Sequence, residues 1–399
     1  MIINNIEITD DSYPGKGIGF YNNKIIFVEN AIKGDIIDIS VIKEENNFIE
    51  GNIYKFHKKS KFRNSGTCPY GNKCGGCNWN DIEYSYQLSA KKRHTEELLL
   101  KIGKIEQNIE ITGKTPVIPY RIRARFHYSQ NQFGFFKEHS NKITEIENCP
   151  VCYNEINESY NSIKTKILSS KLLFDDFDIE FRYSPFEKNV SYKIITNNKN
   201  NFDSLIKVVG KSIKYQKFHI LDSTISLNIN SFVQINFIEN KRVINEISQF
   251  IKEVKPKRVL DLYGGFGNLS LPAIDYLNKL TIVENNKFSI NDGKKFVKDN
   301  NLHKKVKYIK SDTSKIIKGI GKFNLVIIDP PRAGAKAVVK NIEFLEPDYI
   351  IYLSCNPATF SRDAALLTQK GYKLTGSKLY DFFPNTYHIE LLSFFEKSL

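Results

Sequence analysis

Alternating apolar and polar positions dominate the first 57 residues. Stretches 2–8, 24–28, 35–42 and 48–56 are rich in β-branched and aromatic side chains, and Gly and Asn separate them. Short runs of this composition, bounded by turn residues, predict strands. Gly15, Gly17 and Gly19 predict a flexible turn. A small five-stranded barrel of the oligonucleotide-binding kind fits the pattern, as does another small β-domain.

The period then changes. Between 84 and 102, Leu88, Thr95, Leu98, Leu99 and Ile102 recur at helical spacing, and Gly103 provides a stop. Residues 115–225 read as alternating strands with one or two helices. Within them, Tyr120-Arg121-Ile122-Arg123-Ala124-Arg125-Phe126 places three Arg on one face of a strand. Three like charges on one face require an anionic partner such as RNA phosphate, or open solvent. From about residue 230, short apolar runs at 259–262, 281–284, 306–310, 325–329 and 349–353 alternate with helical stretches. That rhythm predicts a parallel, doubly wound sheet. Stretches 372–383 and 388–395, joined by Pro384-Asn385-Thr386, predict a closing antiparallel pair.

Length and charge narrow the classes. A chain of 399 residues exceeds one ordinary core, so two or three domains are expected. With 41% hydrophobic and 13% aromatic residues it is a folded protein. The net charge of +14 attracts polyanions, and His57-Lys58-Lys59-Ser60-Lys61-Phe62-Arg63 concentrates part of it. No run of 18 apolar residues occurs, and no basic segment leads into an apolar one at the N-terminus. Neither a membrane span nor a secretory leader is expected, which points to the cytoplasm. There the six cysteines stay reduced, and clustered ones suggest metal or catalysis before disulfides.

Candidate chemistry gathers at the ends of the α/β strands. The first strand runs into Asp261-Leu-Tyr-Gly-Gly-Phe-Gly-Asn268, and the second ends on Glu284. Glycines beyond a strand let a ligand approach the backbone, and a carboxylate at the next tip can accept both hydroxyls of a ribose. Nicotinamide dinucleotides and S-adenosylmethionine both suit this pattern. Two details favour the latter. The glycines do not follow GxGxxG. Asp261 would repel a pyrophosphate but suit a cationic amine. The plainer alternatives are a turn role for Asp261 and an exposed strand-end charge for Glu284.

The fourth strand ends in Asp329-Pro330-Pro331-Arg332, a rigid loop at the same sheet edge. Arg332 stands where enzymes that methylate base nitrogens often have an aromatic residue. The fifth strand ends in Ser354-Cys355-Asn356-Pro357. A cysteine there is either a small buried hydrophobe or a stabilised thiolate. A thiolate adding to carbon 6 of uracil would create an enolate with electron density on carbon 5. After methyl transfer a base must remove the carbon-5 proton, and Glu390 is the candidate. His388 reads as a structural histidine.

Cys68-x5-Cys74-x2-Cys77 occupies a Gly-rich loop, and Cys149-Pro-Val-Cys152 follows later. Cys74, Cys77, Cys149 and Cys152 would make a tetrahedral zinc site. Three cysteines in one loop plus a distant Cys-Pro suit a [4Fe–4S] cluster. Spacing leaves both open.

Taken in order, these motifs, with Asn148-Cys149-Pro150, Phe232-Val-Gln234-Ile-Asn236 and Phe383-Pro-Asn-Thr-Tyr-His-Ile-Glu390, resemble the bacterial RNA uracil-5-methyltransferase family. Within it the chain is most similar to the iron–sulfur-containing 23S ribosomal RNA branch. The resemblance spans nearly the whole chain and implies a multidomain α/β protein. It implies an OB-like β-barrel (a TRAM domain) over 1–57 and a central α+β domain with a [4Fe–4S] loop over 58–225. A Rossmann-like class I methyltransferase domain would occupy 226–399, with the helix at 84–102 a candidate to pack on it. By the same resemblance Cys68, Cys74, Cys77 and Cys149 hold the cluster, and Cys152 is spare. Gln234, Tyr263, Asn268, Glu284 and Asp329 contact S-adenosylmethionine, with Asp312 on the adenine side. Cys355 is the nucleophile and Glu390 the base. The implied activity is methylation of carbon 5 of a uridine in 23S rRNA, with tRNA the alternative substrate, by a monomer without membrane association. A noncovalent methyltransferase and a noncatalytic RNA-binding protein remain as alternatives.

Overall fold

The computed structural model describes residues 1–71, 73–113 and 118–398. Its first six strands are β1 (Ile2–Glu7), β2 (Asp10–Ser12), β3 (Lys16–Tyr21), β4 (Lys24–Glu29), β5 (Ile36–Glu44) and β6 (Phe48–Lys58). They form one sheet in the order β1-β5-β6-β4-β3-β2. β1 and β2 stand at opposite ends of this order, yet only Ile8 and Thr9 separate them in the chain. The sheet must therefore roll until its ends meet. Ile8 N donates to Asp35 O (2.8 Å) and Thr9 N to Ile18 O (2.9 Å) across that seam. Ile3, Ile6, Ile26, Val28, Ile37, Ile39 and Ile49 fill the interior.

Two expectations change here. The sheet has six strands, not five. Gly17 and Gly19 lie within β3 and only Gly15 (φ +78°) makes a turn. A Cβ on Gly17 would come within 2.7 Å of Ala31 Cβ, and one on Gly19 within 2.8 Å of Ile6 Cγ2. These glycines serve close packing in a tightly curled sheet.

Helix α1 (Tyr84–Leu98) runs into a π turn, Leu99–Gly103, and packs against α8 (Pro357–Gln369). The predicted apolar stripe is only partly its buried face. Leu88, Thr95 and Leu99 are buried as expected, but Ile102 is exposed and the polar Gln87, Lys91 and His94 are buried. The short strand β7 (Glu110–Thr112) follows α1.

The central layer contains β8 (Arg123–Ser129), β9 (Gln132–Phe136), β10 (Ile143–Glu145), β11 (Phe177–Ser184) and β12 (Asn189–Ile195), in the antiparallel order β10-β9-β8-β11-β12. α2 (Asn154–Ser169) packs on β11 and β12, and α3 (Lys199–Val209) packs on α2. β13 (Tyr215–Ile220) and β14 (Ser223–Asn228) form a separate hairpin. Arg182 of β11, 1% exposed, joins the layer to the segment before the catalytic sheet. Its guanidinium donates to Gln216 Oε1 (2.9 Å), Leu227 O (2.9 Å), Asn228 O (2.8 Å) and Ser231 O (3.2 Å).

The C-terminal layer begins with α4 (Phe237–Val254). It continues through β15 (Arg258–Leu262), β16 (Lys279–Glu284), α5 (Lys287–Asp299), β17 (Val306–Lys310), α6 (Thr313–Ile316), β18 (Leu325–Ile328), α7 (Lys336–Lys340) and β19 (Tyr349–Ser354). After α8 come β20 (Tyr372–Tyr380) and β21 (Glu390–Lys397). The sheet order is β17-β16-β15-β18-β19-β21-β20-β7. β15 to β19 are parallel, β21 is antiparallel to both neighbours, and β7 adds to the edge parallel to β20. The chain reverses direction of winding at β15, which opens a crevice over the strand tips. No described helix is long and apolar enough to cross a membrane.

The connection from β20 to β21 bears the Pro-Asn-Thr motif, and upstream segments hold its backbone. Phe382 O accepts from Asn236 Nδ2 (3.4 Å), Phe383 O from Lys91 Nζ (3.2 Å), Pro384 O from the Tyr120 hydroxyl (3.4 Å) and Asn385 O from Trp79 N (3.0 Å). Lys91 also makes a fully buried ion pair with Asp381 (2.7 Å). Removing one member of such a pair strands the other charge. Lys91→Met is expected to destabilise the protein by about 3–5 kcal/mol. Denaturant unfolding followed through the single tryptophan, buried Trp79, measures this.

Candidate active site

A cavity of about 460 Å³ opens over the strand tips, walled by Gln234, Tyr263, Glu284, Asp329, Cys355 and Glu390, with Arg123, Phe232, Arg332 and His388. An adjoining recess of about 30 Å³ is lined by Gln234, Tyr263, Asn268 and Asp329. Tyr263 ends β15 in a left-handed conformation (φ +60°), a strained geometry for a non-glycine residue and one that clusters at functional sites. Gly267 (φ +96°) has no room for a side chain, since a Cβ would lie 2.6 Å from Leu271 Cγ. The Glu284 carboxylate accepts from Gly265 N (3.0 Å), Asn285 N and Asn286 N (both 2.7 Å), which locks the glycine turn to the tip of β16. Asn268 and Asn240 exchange two amide hydrogen bonds of 2.9 and 3.0 Å.

Two acids lie elsewhere. Asp261 is fully buried beneath the glycine turn, where its Oδ2 accepts from Ser270 Oγ (2.5 Å). Burial raises its pKa to about 7, with Ser270 opposing and Glu284 adding. It lies within β15 under the turn and does not wall the cavity, contrary to the amine role expected for it. Asp312 caps α6, accepting from Ser314 N (3.0 Å) and Ser314 Oγ (2.8 Å), and lines neither cavity.

Cys355 stands between β19 and the N-terminus of α8. Asn356 caps that helix, accepting from Ala358 N (3.1 Å) and Thr359 N (3.4 Å). Asn356 Nδ2 and Thr359 Oγ1 also donate to Arg332 O (3.1 and 3.2 Å), which binds the Asp-Pro-Pro-Arg loop to the cysteine's helix. Gly334 (φ +77°) makes the turn that follows, and Asp363 accepts from Ala335 N (2.7 Å) and the Tyr352 hydroxyl (2.8 Å).

The electrostatics differ from the expected stabilised thiolate. Burial, then Glu390 and Asp329, push the Cys355 thiol up to about 12, with Arg332 opposing. Asp329 is raised to about 7, first by burial and then by Asp261 and Glu284. Glu390 is raised well above the carboxylate range, again first by burial and then by Asp329. Buried acids this close cannot all ionise cheaply. His388 is held down to about 3 by burial, then by Arg332, Lys91 and Arg121, so its ring is neutral. Arg332 Nη2 lies 3.4 Å from both its ring nitrogens.

The three arginines of 121–125 have different partners. Arg125 pairs with Glu180 (3.2 Å) and Asp178 (3.8 Å). Arg123 lies over the Phe232 ring (4.8 Å) on the wall of the main cavity. Arg121 borders a second cavity, of about 200 Å³, with Cys68, Cys74, Cys77 and Cys149. Cys152 is 2% exposed and is not among that cavity's lining residues. Asn157 clasps Cys149 through Cys149 N→Asn157 Oδ1 (2.9 Å) and Asn157 Nδ2→Cys149 O (3.1 Å). Among the described residues no three cysteine sulfurs lie within 4.8 Å of one another.

Comparison with known proteins decides the family. The profile described as tRNA (Uracil-5-)-methyltransferase matches residues 187–398, more than half of the chain, and a TRAM domain profile matches residues 4–54. The chain belongs to the tRNA (uracil-5-)-methyltransferase family. It is an S-adenosylmethionine-dependent RNA uracil-5-methyltransferase with an N-terminal TRAM domain. An uncharacterized RNA methyltransferase of Aquifex aeolicus (strain VF5) is 29% identical over 96% of each chain. The 23S rRNA (uracil(1939)-C(5))-methyltransferase RlmD of Aliivibrio fischeri (strain MJ11) is 27% identical over 98% of this chain and 96% of its own. In fold, the chain matches the Pyrococcus abyssi tRNA (uracil-54, C5)-methyltransferase solved with S-adenosyl-L-homocysteine. That match has a TM-score of 0.78 and 22% identity over 98% of this chain and 99% of that one.

For this family member, sequence motifs led to the strand-tip residues, while Arg123 and His388 on the cavity wall were missed. Arg123 had a signal in its alternation with buried Ile122 and Ala124, but nothing local separates it from Arg121 and Arg125. Gly334 supplies a test of the loop geometry. A Cβ there would come within 2.6 Å of Arg362 Nη2 and Asp363 Oδ2. Gly334→Ala is expected to cost about 1–3 kcal/mol of stability and to lower turnover, with S-adenosylmethionine affinity little changed. Thermal unfolding, titration and steady-state kinetics check the three effects.

Proposed function

We propose that this enzyme methylates carbon 5 of a uridine in 23S rRNA by covalent catalysis, with Cys355 as nucleophile and Glu390 as base. The observation that carries this reading is that Cys355 and Glu390 open onto one cavity with Gln234, Tyr263, Glu284 and Asp329 at the strand tips. S-adenosylmethionine supplies the methyl group and a positive sulfonium charge. Gln234, Tyr263, Asn268, Glu284 and Asp329 hold it. Asp312, whose charge acts on Tyr263, is the adenine-side residue.

Cys355 attacks carbon 6 of the uracil, and carbon 5 takes the methyl group. Glu390 then accepts the carbon-5 proton, the carbon 5–carbon 6 double bond re-forms, and the carbon 6–sulfur bond breaks to return the thiolate. Positive charge at the thiol's end of the cavity favours ionisation, and Arg332 and the N-terminus of α8 both supply it. The raised pKa of Glu390 makes it a stronger base but requires its ionised form. The rate therefore falls as pH drops, with the acid limb well above the ordinary carboxylate range. A kcat–pH profile reads this directly, and a limb near pH 4.5 would remove Glu390 from the role.

RNA containing 5-fluorouridine is expected to form a denaturation-resistant adduct with the protein, because fluorine cannot leave as a proton does. Cys355→Ala should form none and should not turn over. Full turnover of that variant would end the covalent reading. The ribosomal assignment draws on the relatives named as 23S rRNA enzymes. Mapping 5-methyluridine in ribosomal and transfer RNA from a deletion strain separates the two substrates.

Cys68, Cys74, Cys77 and Cys149 are the proposed ligands of a [4Fe–4S] cluster. All four line one cavity, and among the described residues no three cysteine sulfurs lie within 4.8 Å of one another, whereas a zinc–sulfur bond of about 2.3 Å places tetrahedral ligands roughly 3.8 Å apart; the wider set favours the larger cluster. Cys152 lies outside the set. Anaerobically purified protein should be brown with four irons per chain. Colourless protein containing zinc would refute the cluster.

A further inference from the structure

Gln87 is 0% exposed on a helix whose periodicity gives no reason to bury an amide. Its side chain joins three pieces of backbone. Nε2 donates to Trp79 O (3.1 Å) and Ile82 O (2.8 Å), both just past the cysteine loop. It also donates to Asn385 Oδ1 (3.2 Å), and Oε1 accepts from Asn385 N (2.8 Å). Trp79 N closes the circuit by donating to Asn385 O (3.0 Å).

Asn385 therefore belongs to two sites at once. It is one of the residues that line the cysteine cavity. Its backbone lies five residues before Glu390, in a left-handed conformation (φ +65°) that asparagine tolerates. The rest of the segment has little freedom. Tyr387 packs under Gly15, Ile389 is buried, and Glu390 opens β21 opposite Tyr380. A shift of the 68–79 loop must move Asn385, and a shift of Asn385 is passed along a short, packed segment to the carboxylate.

We propose that Gln87 is the positioning residue for Glu390, and that through Asn385 it makes removal of the carbon-5 proton depend on occupancy of the cysteine site. This rests on the proposed roles of Glu390 and of the four cysteines. The step concerned is the last one. The carbon 5–hydrogen bond breaks, its proton goes to Glu390, its electron pair re-forms the ring double bond, and the carbon 6–sulfur pair returns to Cys355. A displaced base slows this step while leaving thiolate addition and methyl transfer intact, so a methylated covalent intermediate accumulates.

Gln87→Met keeps length and burial and removes the amide's hydrogen bonds to Trp79, Ile82 and Asn385. The test uses full-length protein and ordinary uridine RNA in single-turnover reactions, with the adduct resolved on denaturing gels. Expected are iron content and S-adenosylmethionine affinity equal to the parent, adduct formation within about threefold, and adduct decay slowed about 10- to 100-fold. Equal slowing of every step would mean a structural role only and would overturn the proposal, as would unchanged decay. Should Gln87→Met fail to fold, Asn385→Gly keeps the left-handed backbone and removes only the Gln87 Nε2 acceptor, and slower decay is again expected.

A second arm withdraws iron anaerobically from the parent protein. Amide hydrogen exchange over 381–390 should rise and adduct decay should slow. Faster exchange in 68–79 with none in 381–390 would refute the coupling. Protein that contains no iron when isolated anaerobically would remove the cluster reading and the dependence on it, while the Gln87→Met kinetics still decide the positioning role.

Discussion

Four consecutive backbone carbonyls, from Phe382 to Asn385, are each taken by a donor from a different upstream segment: Asn236, Lys91, Tyr120 and Trp79. Buried carbonyls must find donors, and here no regular secondary structure provides them. Thr386 also donates to Phe383 O through its N and Oγ1, but the upstream donors tie the helix α1, the cysteine loop, the central layer and the start of α4 to one segment. That segment leads into β21 and Glu390. The protein's layers are thus joined beside the candidate site.

The same requirement explains the polar face of α1. A helix facing an apolar sheet buries Leu and Ile, but this one faces a loop rich in acceptors. Gln87 and Lys91, one turn apart, point the same way and bind that loop. The Lys91–Asp381 pair is fully desolvated, so its geometry is sharply specified even where its net stabilisation is small. The N-terminal sheet joins in through Tyr13, whose ring meets Tyr387 edge-on at 6.3 Å.

Crowded acids set the chemistry of the site. Cys355, Asp329 and Glu390 lie in a buried region with Arg332 as the nearby cation, and each thiol or carboxyl is pushed toward its neutral form. A base that is hard to ionise is a strong one. A thiol that is hard to ionise needs added positive charge, which a sulfonium donor brings to the same cavity.

Local sequence determined the elements and the strand-tip motifs. Period-two alternation, apolar runs and glycine-rich turns are short-range signals, so β15 to β19, Tyr263, Glu284, Asp329 and Cys355 could all be located from their neighbours in the chain. The glycines of β3 were misread because a close approach to Ala31 and Ile6 is set by sheet curl, which no local pattern records. The three arginines of 121–125 look alike in sequence, and only packing sent one to the cysteine cavity, one to the catalytic cavity and one to a pair of carboxylates. Asp261 looked like a ligand contact because it sits near a strand end, yet it lies buried under the turn. The burial of Gln87 was invisible for the same reason. Its partners lie 298 residues away at Asn385, and only the folded chain brings that amide and that loop together.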